Sequence, residues 1–119
     1  MSGNLLADLP NLPMAPEAAE RLETLLAGPG LRIERIVSSG QASPPGFWYE
    51  QADAEWVVVI SGEALLRFED ETEARRLHAG DWLHIEPQRR HRVEWTAAET
   101  PTIWLAVHFP GEITGIRLS

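Results

Sequence analysis

Over most of its length the chain alternates apolar and polar residues with the period of β-strands. The segment Leu31–Ser38 sets Leu31, Ile33, Arg35 and Val37 against Arg32, Glu34 and Ile36. A loop at 40–46, GQASPPG, leads into residues 47–51 and then 55–60. A Ser61-Gly62 turn follows, and in the next run Ala64, Leu66 and Phe68 form the apolar face. A short run at 73–77 precedes further runs at 82–86, 91–96 and 102–109. Eight short strands with frequent turn signals predict a sandwich or barrel. Residues 55–60 are apolar on both faces after the opening glutamate, with Val57 and Val59 on one and Trp56, Val58 and Ile60 on the other. Such a strand needs a second layer outside it, from the N-terminal arm, a helix or another subunit. Five tryptophans in 119 residues point the same way, and a homodimer is expected.

The N-terminus reads differently. Leu5, Leu6, Leu9, Leu12 and Met14 stand between Pro10, Pro13 and Pro16, a proline spacing that excludes a helix. These leucines are expected to pack on the chain's own sheets or on a second subunit. From Pro16 to Ala27 one short helix is predicted. Proline suits its first position, Glu17 and Glu20 favour its N-terminus, and Gly28 stops it. Ala18, Leu22, Leu25 and Leu26 form its apolar stripe. The expected organisation is an arm and helix over residues 1–30 and an all-β barrel over residues 31–119.

The most informative stretch is GDWLHIEPQRRHRV, residues 80–93. After the Gly80-Asp81 turn pair, Leu83 and Ile85 fall on one face, Trp82 and His84 on the other. Beyond a polar turn, His91, Val93 and Trp95 share a face by alternation, which points His91 inward and makes it the leading candidate for chemistry. His84 is expected to be structural and His78 exposed. Arg89, Arg90 and Arg92 are either a solvated cluster or an attractor for an anionic ligand.

Together with the upstream stretch 47–70, this segment resembles the paired motifs of the cupin superfamily. Glu55 followed after six residues by Gly62 matches the latter half of the first motif, and Gly80-Asp81 followed by His91 matches the second. The resemblance covers about residues 31 to 109. Two departures stand out. The two histidines that normally open the first motif are replaced within Trp48-Tyr49-Glu50-Gln51, and Glu86 stands where the second motif has proline.

The resemblance implies a double-stranded β-helix, or jelly roll, with a metal bound inside by motif residues. Glu55 and His91 take motif positions, and either Tyr49 and Gln51 or Trp48 and Glu50 take the missing histidines' places, with the first pair preferred. Gln51, Glu55, His91 and His108 are then the candidate ligands of a divalent ion, Mn, Fe, Ni or Zn. Carboxylate and amide oxygens favour the harder ions. His108 belongs to the face Trp104/Ala106/His108, whose rival is Ile103/Leu105/Val107/Phe109, and either can line the interior. Tyr49 and Glu55 are the candidates for moving protons. The competing reading is a hydrogen-bonded cluster of Gln51, Glu55 and His91 in a metal-free binding pocket.

Composition removes other chemistries. The formal charge of −8 argues against nucleic acid, and both halves are acidic. There is no cysteine, and all ten basic residues are arginine, so thiolate and Schiff-base chemistry are absent. No apolar run reaches the ~18 residues of a membrane span, and the first ten residues lack a signal-peptide pattern. A cytoplasmic protein is expected. Two functions follow: a cupin that binds a divalent metal and a small polar or anionic molecule, or a metal-free, non-catalytic binding or sensor domain.

Overall fold

The computed structural model describes residues 1–9 and 19–111. It is all-β, with eight strands: β1 (Arg21–Gly28), β2 (Leu31–Ser38), β3 (Ala54–Ser61), β4 (Glu63–Phe68), β5 (Arg75–His78), β6 (Trp82–Ile85), β7 (His91–Thr96) and β8 (Thr102–Phe109). They form a five-stranded sheet of order β1-β2-β8-β3-β6 and a three-stranded sheet of order β5-β4-β7. All pairings are antiparallel. The two sheets face each other as a sandwich and are not joined by a continuous ladder into a closed barrel.

The predicted helix is not present among the described residues. Residues 21–27, assigned to it above, lie in strand β1, and its first positions, 16–18, lie outside the described residues. Two features favour the strand. Pro29-Gly30 makes a two-residue hairpin that pairs Gly28 with Leu31, and Gly30 has the positive φ of 72° such a turn requires. Strand β1 also supplies partners to backbone groups of β2 that would otherwise form an open sheet edge. The leucine spacing that mimics a helical stripe is taken up by a register shift between Thr24 and Leu26.

The core lies between the sheets. Val57, Val59, Leu83, Ile85, Trp104 and Ala106 from the larger sheet meet Ala64, Leu66, Phe68 and Leu77 from the smaller. Facing choices the alternation left open are now determined: Trp104, Ala106 and His108 point inward on β8. One expected facing is overturned. A register shift between Leu65 and Leu66 relative to β7 breaks the alternation after Val93. His91 and Val93 keep the inner face, but Thr96 takes the next buried place and Trp95 turns to solvent, 39% exposed. The expected strand at 47–51 reduces to a single bridge between Tyr49 and His91.

Candidate functional site

Register along the five-stranded sheet lays out the site. Ile85, Glu55, His108 and Arg32 lie opposite one another in one row across β6, β3, β8 and β2. In the adjacent row are Leu83, Val57, Ala106 and Glu34. Both rows face the smaller sheet. Polar chemistry is thus concentrated at one end of an otherwise apolar interior, around a cavity of about 420 Å³. Leu66, Ile85, Val57, Ile36 and Trp104 supply apolar wall, and Tyr49, Gln51, Glu55, His91 and His108 all reach the cavity.

His108 is the centre of this arrangement. It is buried, and its Nε2–H donates to Glu34 Oε1 at 2.9 Å. Glu34, also buried, holds Arg32 Nε at 3.2 Å with its other oxygen. Nδ1, on the other side of the ring, is buried without a hydrogen-bond partner among the described residues, 3.9 Å from Glu55 Oε1. Among the described residues, Glu55 receives only a long hydrogen bond from Gln51 Nε2, at 3.4 Å.

His91 faces the cavity from the smaller sheet. Its Nδ1–H donates to the Arg89 carbonyl at 3.0 Å. Tyr49 exchanges two backbone hydrogen bonds with His91, at 2.7 and 3.1 Å, and its ring stacks on the imidazole at 5.6 Å. Burial raises the Tyr49 phenol above its ordinary 10.0, and the carboxylates of Glu20 and Glu55 add to the shift. The hydroxyl therefore stays protonated and available as a donor. Glu20, just before β1, completes the lining. It accepts Ser38 Oγ–H at 2.9 Å, and Ser38 in turn accepts Trp104 Nε1–H at 3.2 Å. Burial raises the Glu20 carboxyl above 4.5, opposed by the Ser38 bond.

Of the two pairs offered for the first-motif histidine positions, Tyr49 and Gln51 face the cavity. Trp48 lies under the guanidinium groups of Arg67 and Arg92, at 5.6 and 5.9 Å, and Glu50 is exposed. Gln51, Glu55 and His108 adjoin one another, whereas no hydrogen bond or ion pair links His91 to them. Among the described residues, no group of three or more His, Asp and Glu side chains is arranged to hold a metal ion. Of the candidate ligands, Glu55 and His108 converge at 3.9 Å, and Gln51 adjoins Glu55 through its long hydrogen bond.

The arginines of the 89–92 turn are engaged elsewhere. Arg89 pairs with Asp70, Glu71 and Glu86 and stacks on Phe68 at 3.6 Å. Arg90 pairs with Glu69, and Arg92 donates to the Ser43 and Pro44 carbonyls. His84 stacks on Phe109 on the outer face, and exposed His78 pairs with Glu63.

Sequence reasoning missed Glu20, Arg32 and Glu34 as site residues. The alternation of Leu31–Ser38 held the signal, because one face carries Arg32 and Glu34. The opposite face carries Arg35, so polarity alone did not choose between them.

Comparison with known proteins agrees with this architecture. The family profile described as "Cupin domain" matches residues 35–108, and the chain belongs to that family. A solved structure from Ralstonia eutropha, assigned provisionally as a mannose-6-phosphate isomerase, is 51% identical. The match covers 92% of this chain and 98% of that one, with a TM-score of 0.86. A cupin protein from Bacteroides fragilis is 23% identical over 88% of each chain, with a TM-score of 0.63. An RmlC-like cupin with a double-stranded β-helix fold, from Methanocaldococcus jannaschii, is 18% identical over 82% of this chain and 87% of that one, with a TM-score of 0.65. These last two share the fold alone. No functionally curated protein matches the chain. Among the described residues, no helix is long and apolar enough to cross a membrane.

Proposed function

We propose that this cupin binds a small polar molecule directly in the cavity between its sheets. The carrying observation is the cavity itself: about 420 Å³, walled by apolar side chains, with Tyr49, Gln51, Glu55, His91 and His108 reaching it. An apolar enclosure with a few convergent polar groups is the usual form of a small-molecule site. The apolar wall supplies burial. Gln51 donates a long hydrogen bond to Glu55, and Tyr49 and Glu55 are the candidates to give or take a proton at a bound ligand.

The test is thermal shift against a panel of small metabolites, with mannose 6-phosphate included because of the Ralstonia protein's provisional assignment. Binding is expected for a small polar compound and is expected to be weakened in both Tyr49→Phe and Glu55→Gln. Ligand binding unchanged in both variants places the site elsewhere.

A second reading keeps a divalent ion, Mn, Fe, Ni or Zn, at Glu55 and His108. The 3.9 Å between Glu55 Oε1 and His108 Nδ1 favours it. That gap is too long for a hydrogen bond and shorter than two metal–ligand bonds of roughly 2.1 Å placed end to end. Glu34 on the far nitrogen holds the ring as carboxylates do in metal-bound histidines. Elemental analysis separates the two: near one metal per chain, lost in His108→Ala, establishes the second reading.

A further inference from the structure

Among the described residues, Arg32 is the only arginine that lines the cavity. Its side chain is 46% exposed, which sets the guanidinium where the cavity opens to solvent. An arginine side chain stays charged across the accessible pH range and carries five N–H donors in one plane. The Nε of Arg32 lies 3.2 Å from Glu34 Oε2. Neither Nη makes a hydrogen bond to another described residue. Every other described arginine turns at least one Nη to a carboxylate or a backbone carbonyl. The edge of Arg32 formed by its two Nη groups is therefore uncommitted, and it faces the cavity mouth.

Register relates this edge to the rest of the site. Arg32, His108 and Glu55 lie opposite one another on β2, β8 and β3. A strand spacing of about 4.8 Å puts the Arg32 and Glu55 backbones roughly 10 Å apart, with His108 between them. Ile36, Leu66 and Trp104 give the cavity apolar wall. A ligand of a few carbons held at Arg32 thus sets its body against apolar side chains and its far end toward Glu55, Gln51 and Tyr49. Two coplanar N–H donors match two coplanar acceptor oxygens, as a carboxylate presents them. A phosphate carries three acceptor oxygens and close to two negative charges, and one guanidinium edge matches only part of it. The arginines of the 89–92 turn do not line the cavity and supply no second cation there.

We propose that Arg32 anchors the carboxylate of a small monocarboxylate ligand through its two Nη groups, with the ligand's carbon body inside the cavity. The proposal rests on the small-molecule reading above and narrows it to a ligand class. The guanidinium alone carries the positive charge, so the anchor requires no proton on any histidine or glutamate of the cavity. Glu34 contacts Arg32 with one oxygen and His108 with the other, so the anchor and the polar end of the cavity share one support. Arg32 lies outside the cupin match at 35–108, so this selectivity belongs to the start of β2 and not to the shared motifs.

The test uses three probes of matched shape: cyclohexanecarboxylate, cyclohexanol and cyclohexyl phosphate. Each is titrated at pH 7.5 into the full chain, as purified and after chelator treatment, by calorimetry and by amide chemical-shift perturbation. The carboxylate is expected to bind about tenfold more tightly than the alcohol, and more tightly than the phosphate. Arg32→Gln is expected to weaken the carboxylate about tenfold and to leave the alcohol unchanged, which also shows the cavity intact. The comparison of probes on the unmodified chain stands whether or not the variant folds. Equal affinity of alcohol and carboxylate, tighter binding of the phosphate, or carboxylate affinity unchanged in Arg32→Gln overturns the inference and leaves the small-molecule reading standing. A carboxylate preference that disappears with chelation assigns the anchor to a bound ion and overturns the inference as well. No perturbation of cavity residues by any probe overturns both readings.

Discussion

Gly62 is where a single residue most constrains the sandwich. It turns the chain from β3 to β4 at a φ of +95°, and a Cβ there would meet Thr102 Cα at 2.5 Å and the Pro101 carbonyl at 2.7 Å. Both obstacles are backbone, so neither rotates away. Gly62→Ala adds left-handed strain to overpacking and is expected to cost roughly 3 kcal/mol, read as a lower urea midpoint with an unchanged slope. A change below ~1 kcal/mol would mean that the β3–β4 turn relaxes freely. Gly62 was legible in the sequence because its spacing from Glu55 is part of the cupin resemblance. His91 and Glu55 were legible for the same reason. Glu34 and Glu20 were not, since their importance comes from strands β2 and β8 meeting in register, 74 residues apart for the Glu34–His108 pair. No local pattern reports a contact at that separation.

At the scale of elements, β1 shows how a local signal loses to sheet pairing. Its leucines fit a helical stripe, yet the hairpin turn at Pro29-Gly30 and the open edge of β2 draw it into the sheet. Arg35 locks the result. This buried guanidinium holds Glu23 of β1 through Nη2, at 2.8 and 3.0 Å, and the Leu5 and Ala7 carbonyls of the N-terminal arm through Nη1, at 3.0 and 2.6 Å. Arg35→Met is expected to cost about 2 kcal/mol, since it strands several acceptors of a charge-assisted network. It is also expected to open the arm to limited proteolysis. Protease resistance equal to the parent protein's would show that the arm is held by something other than Arg35. The same pair sets an acid limb. The hydrogen bond from Arg35 holds the Glu23 carboxyl below its ordinary 4.5. Because the folded value is depressed, its contribution is present above pH 4.5 and is lost as the pH falls through the folded value. Glu23→Gln is expected to flatten the loss of stability with acid below that pH, and an acid limb of unchanged steepness assigns the effect to other carboxylates.

At the scale of the whole molecule, one apolar face has only a partial second layer among the described residues. Across the outside of the five-stranded sheet, Trp82, Val58 and Leu105 lie in one row and His84, Trp56, Val107 and Ile33 in the next. Trp82 is 59% exposed and lies against Trp56 with ring centroids 6.0 Å apart. The pattern was readable beforehand, because residues 55–60 are apolar on both faces and only one face can look into the sandwich. What lies on the other was not readable, since a covering layer can come from anywhere in the chain or from a second copy. The arm supplies part of the answer. It is tied to Arg35, opposite Leu105, and so serves the β1–β2 side of the face. The β3–β6 side, with Trp56, Val58 and Trp82, lies at the other end of the sheet. Aromatic residues at the centre of an exposed apolar band are the usual anchors of an interface. The paired sheet faces of a homodimer would bury them. Light scattering is expected to give twice the 13.3 kDa chain mass, and Trp82→Glu is expected to give the single-chain mass, with the fold intact by circular dichroism. Placing a carboxylate at the middle of a buried aromatic contact costs several kcal/mol in each copy, enough to break a micromolar dimer. A single-chain mass for the unmodified protein across the accessible concentration range would remove the dimer. A dimer that survives Trp82→Glu would move its interface to the exposed leucines of β1.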